Sequence, residues 1–173
     1  MDRAPDGFPI FGSLPAGYIG QQRINLDRAR IQGIYLSGAW HIGSSFSLSA
    51  AVLFDDPRIG GVSEAPEIAG KQIAGVSRHT ASIGATWQAT ARLAFRSRLR
   101  LLGPKFQDDE NTLRLADAIV EDFGATYVLT RQVELFLAVD NLSDADVDIS
   151  RSAEGVIYKS APRMFREGLR LSW

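Results

Sequence analysis

The chain has 173 residues, with 19 Lys+Arg against 20 Asp+Glu, and no cysteine. Balanced charge argues against a nucleic-acid partner, whose binders carry a basic excess, and the missing thiols exclude a disulfide framework or thiolate metal site. No run approaches the roughly 18 apolar residues of a transmembrane helix, and the start Met1-Asp2-Arg3-Ala4-Pro5-Asp6 lacks the basic-then-apolar pattern of a signal peptide.

Residues 1–17 are rich in Gly and Pro and read as a loop. From residue 18 onward the hydrophobic period is two, which separates the faces of a strand. In the first predicted strand, 18–42, Ile34, Leu36, Trp40 and Ile42 alternate with Gly33, Tyr35, Ser37 and Ala39. In the second, 45–55, Phe46, Leu48, Ala50, Val52 and Phe54 alternate with Ser45, Ser47, Ser49 and Ala51. In the third, 74–89, Ile83, Ala85 and Trp87 alternate with Ser82, Gly84, Thr86 and Gln88. The fourth, 92–103, sets Leu93, Phe95, Leu99 and Leu101 against Arg92, Arg96, Arg98 and Arg100. The fifth, 113–129, sets Phe123, Ala125, Tyr127 and Leu129 against Asp122, Gly124, Thr126 and Val128. The sixth, 132–149, sets Val133, Leu135, Leu137 and Val139 against Glu134, Phe136, Ala138 and Asp140. The last, 158–173, sets Phe165, Leu169, Leu171 and Trp173 against Met164, Arg166, Gly168 and Arg170.

The connections alternate in length. Gly43-Ser44, Thr90-Ala91 and Thr130-Arg131 are short, whereas 56–73, 104–112 and 150–157 are long and rich in Asp, Gly, Pro and Ser. Short turns on one rim and long loops on the other mark an outer-membrane barrel. Trp40, Trp87 and Tyr127 each stand three residues before a short turn, and Trp173 falls on the same rim. Indole and phenol rings prefer the headgroup zone, so these four predict an aromatic girdle at one interface. The fold class is therefore all-β: a partial antiparallel transmembrane β-barrel of about seven strands over 18–173.

The sequence resembles the C-terminal part of the barrel of TonB-dependent outer-membrane receptors. Asn25-Leu26-Asp27-Arg28-Ala29-Arg30-Ile31-Gln32-Gly33 is similar to that family's strand ending in Gly-x-Glu, with Tyr35 in place of Glu. Gly75-Val76-Ser77-Arg78-His79 is similar to its Gly-x-Pro-Arg-His, with Ser77 in place of Pro. Val139-Asp140-Asn141-Leu142-Ser143-Asp144 resembles its Asn-Leu-Phe-Asp motif, and Ala161-Pro162-Arg163 its final-strand start. The last eight residues fit the barrel assembly signal, with Arg166, Gly168, Leu171 and Trp173 at its defined positions. The resemblance implies uptake of a ferric siderophore or similar nutrient, residence in the Gram-negative outer membrane, and no enzymatic activity or cofactor. It also implies recognition by the barrel assembly machinery, and contact with TonB only through a plug domain that these residues do not include. Receptor barrels of this kind have about 22 strands around a plugged lumen, so seven strands imply the last third of one, with 1–17 a remnant of an extracellular loop.

Candidate lumen charges are Arg92, Arg96, Arg98 and Arg100, with Glu134 and Asp140 from the strand next but one. They read either as contacts to a plug or an anionic ferric chelate, or as structural charge balance. Arg28 and Arg30, on the lipid-facing parity above the apolar band, read either as lipopolysaccharide contacts or as solvated loop-side charges. Glu167 has lipid-facing parity inside the band and resists the scheme. His41 and His79 stand without a metal-ligand set. The acidic runs Asp108-Asp109-Glu110 and Asp144-x-Asp146-x-Asp148 read as extracellular loops or as Ca²⁺ ligands. Two other architectures fit part of the pattern: an independent small outer-membrane barrel with a structural or adhesive role, and a soluble β-sandwich binding module.

Overall fold

The computed structural model describes residues 27–63, 65–152 and 154–173. Seven strands form one antiparallel sheet in strict chain order: β1 (Arg28–Ile42), β2 (Phe46–Gly61), β3 (His79–Gln88), β4 (Leu93–Leu102), β7 (Ala118–Val128), β8 (Val133–Asp140) and β11 (Met164–Leu171). Two small hairpins stand apart from it, β5 (Lys105–Phe106) with β6 (Arg114–Leu115), and β9 (Asp148–Arg151) with β10 (Ile157–Lys159). The predicted 1–17 loop and the 18–26 part of the first strand lie outside the described residues.

The three short turns close tightly for local reasons. Gly43 supplies a φ of 63° between β1 and β2, a conformation without steric cost for glycine. The other two use one device. The Thr90 hydroxyl accepts from the Arg92 and Leu93 amides (3.2 and 3.0 Å), and the Thr130 hydroxyl accepts from those of Gln132 and Val133 (3.2 and 3.1 Å). Such side-chain mimicry of a backbone turn is what Ser and Thr offer in loops.

The registers put the predicted apolar sets on a single face. Trp40 pairs with Leu48, Leu48 with Ala85, Ala85 with Ser97, Ser97 with Phe123, Phe123 with Val139, and Val139 with Phe165. This face stays open: Ile34, Leu36, Trp40, Leu137, Phe165 and Leu169 are all exposed, Phe165 at 70 %. A β-sandwich needs a second sheet over that face, and none of the described elements covers it.

Strand ends differ from the sequence reading. β2 runs on to Gly61, because residues 57–61 continue the ladder with 28–31 of β1; on their other side, residues 57–59 meet 70–73 through Ile59 N to Lys71 O (2.9 Å) and Gly70 N to Ile59 O (2.7 Å). Alternation around 113–117 belongs to the β5–β6 hairpin, so the fifth wall strand starts at Ala118. The sixth ends at Asp140, where Asn141 and Asp144 take positive φ of 54° and 55° and turn the chain. Residues 148–151 and 157–159 then pair with each other, so the wall regains its last strand only at Met164.

Above the sheet, the loop after β2 folds on itself. Ile59, Val62 and Ile68 form a small buried cluster with Ala65 and Ile73 packed against it. The neighbouring loop is stitched to it by a reciprocal pair: the Gln72 amide donates to Asn111 Oδ1 and Asn111 Nδ2 donates to Gln72 O, both at 2.8 Å. Ala74 N also donates to Asp109 Oδ1 (2.9 Å) and Lys71 Nζ to Glu110 O (3.0 Å).

Candidate functional site

The girdle aromatics are not on one ladder row, and the offset is informative. Trp87 lies two residues beyond Ala85, the strand-β3 position on Trp40's row. Tyr127 lies two residues beyond Ala125, the strand-β7 position on Trp87's row. Each pair is two strands apart, so the stagger is one residue per strand. With about 3.3 Å per residue and about 4.8 Å between strands, equal height requires a tilt of about 35°, within the range of closed barrels. Trp173 falls two residues below that line, since Leu171 is the position it passes through. Trp40 folds its indole over Gly38, where an added Cβ would meet it at 2.8 Å. Trp87, Phe95 and Phe123 stack across the outer face at centroid separations of 5.6 and 6.0 Å.

The inner face carries the charges. Arg96, Arg98 and Arg100 project from β4, but Arg92 sits in the turn before it, where its carbonyl accepts from Val128 N (2.8 Å). Arg92 thus stands at the rim, one residue before the strand begins. Glu134 and Asp140 do not serve β4 either. Asp140 pairs with Arg166 at 2.7 Å and Glu134 with Arg170, because β11, not β4, is the ladder neighbour of β8. The partner of Arg100 is Asp122 on β7, at 3.0 Å, and the same carboxylate accepts from Asn141 N (3.1 Å). Asp122 was missed as a site residue. Its inward parity was visible in the sequence, but its pairing depends on register. Arg96 and Arg98 make no ion pair among the described residues, although Asp122, held by Arg100, is the cross-strand partner of Arg98. They border an inner hollow of about 420 Å³ with His41, Ser47, Ser49 and Thr86.

β11 presents a fixed inner face. Gly168 lies under the Phe136 ring, which a Cβ there would meet at 2.8 Å, between the Arg166 and Arg170 ion pairs. Its outer edge is unpaired among the described residues, as is that of β1. Leu171 and Trp173 point out on the exposed apolar side. Glu167 also faces outward, opposite Leu137. Glu121 shares that face, opposite Leu99, a second outward carboxylate that the sequence reading did not single out.

The acidic loop clusters are engaged elsewhere. Asp144 accepts from Arg163 N (2.8 Å), Asp146 pairs with Lys159, and Asp148 accepts from Ala116 N (3.3 Å). Asp108 closes its own turn, taking the Thr112 hydroxyl at 2.7 Å and the Thr112 and Leu113 amides. Burial acts to raise its pKa, but those hydrogen bonds outweigh it and hold the carboxyl below the ordinary value. Two hydrogen bonds from Ser63 lower that of Asp27 in the same way. No group of three His, Asp or Glu converges among the described residues.

One-sided strands, tilted in register, with short turns on one rim and long loops on the other, define a stretch of transmembrane β-barrel wall. The chain belongs to the TonB-dependent receptor β-barrel family: the model described as "TonB dependent receptor-like, beta-barrel" matches residues 3–142. Barrels of this family reside in the Gram-negative outer membrane and serve transport receptors, not enzymes.

Solved structures share the fold. The siderophore receptor PiuA from Acinetobacter baumannii is 18% identical, with a TM-score of 0.73 over 83% of this chain and 22% of that one. The ferric yersiniabactin uptake receptor FyuA from Yersinia pestis is 19% identical, with a TM-score of 0.73 over 83% and 23%. The copper transporter OprC is 19% identical, with a TM-score of 0.68 over 84% and 23%. The chain thus spans less than a quarter of the length of these three structures. No curated protein matches it.

Proposed function

We propose that the chain is the C-terminal run of barrel wall in a receptor that imports a ferric siderophore or a similar metal chelate, driven by TonB acting on a plug domain outside this stretch. The observation that carries the reading is the separation of an apolar outer face from a charged inner face across seven consecutive strands, in a chain of this family. The named substrates of the similar structures, siderophores and copper, support a metal or metal-chelate cargo. Arg96 and Arg98 are the inner charges left to meet carboxylates of a plug or an anionic chelate in transit. Arg100, Glu134 and Asp140 serve wall structure through their ion pairs. Strand β11, with Arg166, Gly168, Leu171 and Trp173, is the strand offered to the assembly machinery.

Uptake of radiolabelled metal tests the proposal. A strain lacking the receptor that contains this chain is compared with one complemented by wild type or by R96E/R98E. The reading expects loss of uptake of at least one ferric or copper chelate, restoration by wild type, and reduced uptake with R96E/R98E. Unchanged uptake of every chelate in the deletion strain contradicts it.

A further inference from the structure

The β1–β2 ladder sets two arginines face to face. Arg30 and Arg58 are direct cross-strand partners, and on one face such partners have Cβ atoms about 4.5–5.5 Å apart, where like charges repel. Arg58 was hidden in the sequence, because it falls in the stretch read as a loop. Its Nε is met by Asp56 Oδ1 at 2.7 Å and its Nη1 donates to Gly70 O at 3.0 Å. Among the described residues, Arg30 reaches only the neutral Gln32 side chain. The stem of Arg28 lies across Gly60, so a third guanidinium belongs to the same patch. The neighbouring Asp27 carboxylate is taken up by Ser63. Among the described residues, Asp56 is the one carboxylate paired with these three cations.

Height decides what meets them. Arg30 is ten residues up the same strand from Trp40. At the 35° tilt each residue climbs about 2.7 Å, so Arg30 stands about 27 Å above the girdle, just past an apolar band about 25 Å tall. The patch faces outward, as Ile34 and Leu36 do below it, and so abuts the far headgroup layer rather than the lumen.

We infer that Arg28, Arg30 and Arg58 form a docking site for the phosphates of the outer-leaflet lipopolysaccharide. An excess of guanidinium charge at this level matches phosphate, which the planar fork binds with two parallel hydrogen bonds. An anion between Arg30 and Arg58 also relieves their repulsion. The inference rests on the receptor reading proposed above, with the long-loop rim taken as the extracellular one.

The test uses the receptor carrying this chain, as wild type, R30Q/R58Q and the short-turn control R131Q. Each is placed in phosphatidylethanolamine vesicles with intact lipopolysaccharide, with enzymatically dephosphorylated lipopolysaccharide, or with neither. Insertion is scored first, by the heat-dependent gel shift of a folded barrel. Bound glycolipid is then counted by native mass spectrometry, and the melting temperature recorded.

Wild type and R131Q are expected to hold intact lipopolysaccharide at least tenfold more tightly than R30Q/R58Q, with no difference on the dephosphorylated form. Without glycolipid, R30Q/R58Q is expected to melt close to wild type, since the repulsion it loses offsets the exposed Asp56 pair and Gly70 hydrogen bond that Arg58 gives up. Equal binding by wild type and R30Q/R58Q overturns the site while leaving the membrane reading intact. So does full competition by millimolar inorganic phosphate, which would make it a free-anion site. Failure of wild type to insert overturns both readings, and the gel shift tells the two failures apart.

Discussion

Replacing Asp122 by Ala removes two interactions from one inward carboxylate. Arg100 Nη2 loses its counter-charge at 3.0 Å, and the Asn141 amide loses its acceptor at 3.1 Å. The Arg100 side chain is 40% exposed, so screening limits that pair to about 0.5–1 kcal/mol. Asn141 is buried and in a left-handed conformation, and leaving its amide unsatisfied costs about 1–3 kcal/mol. D122A should therefore destabilise the wall by about 1.5–4 kcal/mol. D122N, which keeps an acceptor for the amide, should cost about 1 kcal/mol. Urea unfolding in detergent micelles, followed by tryptophan fluorescence, measures both. Hydrogen exchange at Asn141 reports the amide separately and should accelerate in D122A only. A D122A midpoint indistinguishable from wild type, or D122N as damaging as D122A, refutes this division.

Three further outcomes follow from the geometry. G168A forces the Phe136 ring to shift and should cost about 1–3 kcal/mol by urea unfolding, whereas in an F136A background the same change should cost little; equal costs would mean that the ring is not the obstacle. Glu167 stands on the outer face about 11 Å above the girdle by the 35° tilt, near the centre of an apolar band about 25 Å tall, so E167L should stabilise the bilayer-inserted form and E167K destabilise it by about 2–4 kcal/mol. The Asp108 carboxyl, held below its ordinary 3.8, stabilises the folded loop above that pH, and the contribution is lost as pH falls through the lowered folded value. Protection of the Thr112 and Leu113 amides, measured against their intrinsic exchange rates, should fall in that acidic window in wild type and stay level with pH in D108N; loss of protection already at pH 6 would contradict the assignment.

The wall strands were legible because their period-two pattern reports a physical asymmetry, hydrocarbon on one side and water on the other, that holds from Ile34 to Leu171. Their ends were not. Val147 and Ile149 continue the alternation of β8, and only the positive φ of Asn141 and Asp144 shows that the chain has already turned away. Lys105–Phe106 and Arg114–Leu115 pair locally for a similar reason: two alternating segments flank a turn closed by Asp108. Charge pairing was the least legible part. Which arginine meets Glu134, Asp140 or Asp122 is set by register, and the sequence names residues on a face without naming their cross-strand neighbours. Asp122 was missed for that reason, and Arg58 because it lies in a stretch whose Asp, Gly and Pro content read as a loop.

Lipid on one face and water on the other is most directly tested on β3. This chain has no cysteine; once any cysteine elsewhere in the receptor is replaced, single cysteines placed in turn at Ala81, Ser82, Ile83, Gly84, Ala85 and Thr86 of the membrane-inserted receptor are probed with a charged, membrane-impermeant maleimide and with a lipid-soluble quencher. The account predicts strict alternation: Ser82, Gly84 and Thr86 react with the maleimide, while Ala81, Ile83 and Ala85 do not, and labels at those three are quenched from the lipid phase. Uniform aqueous reactivity along the strand, or lipid quenching at Ser82, Gly84 and Thr86, would contradict it.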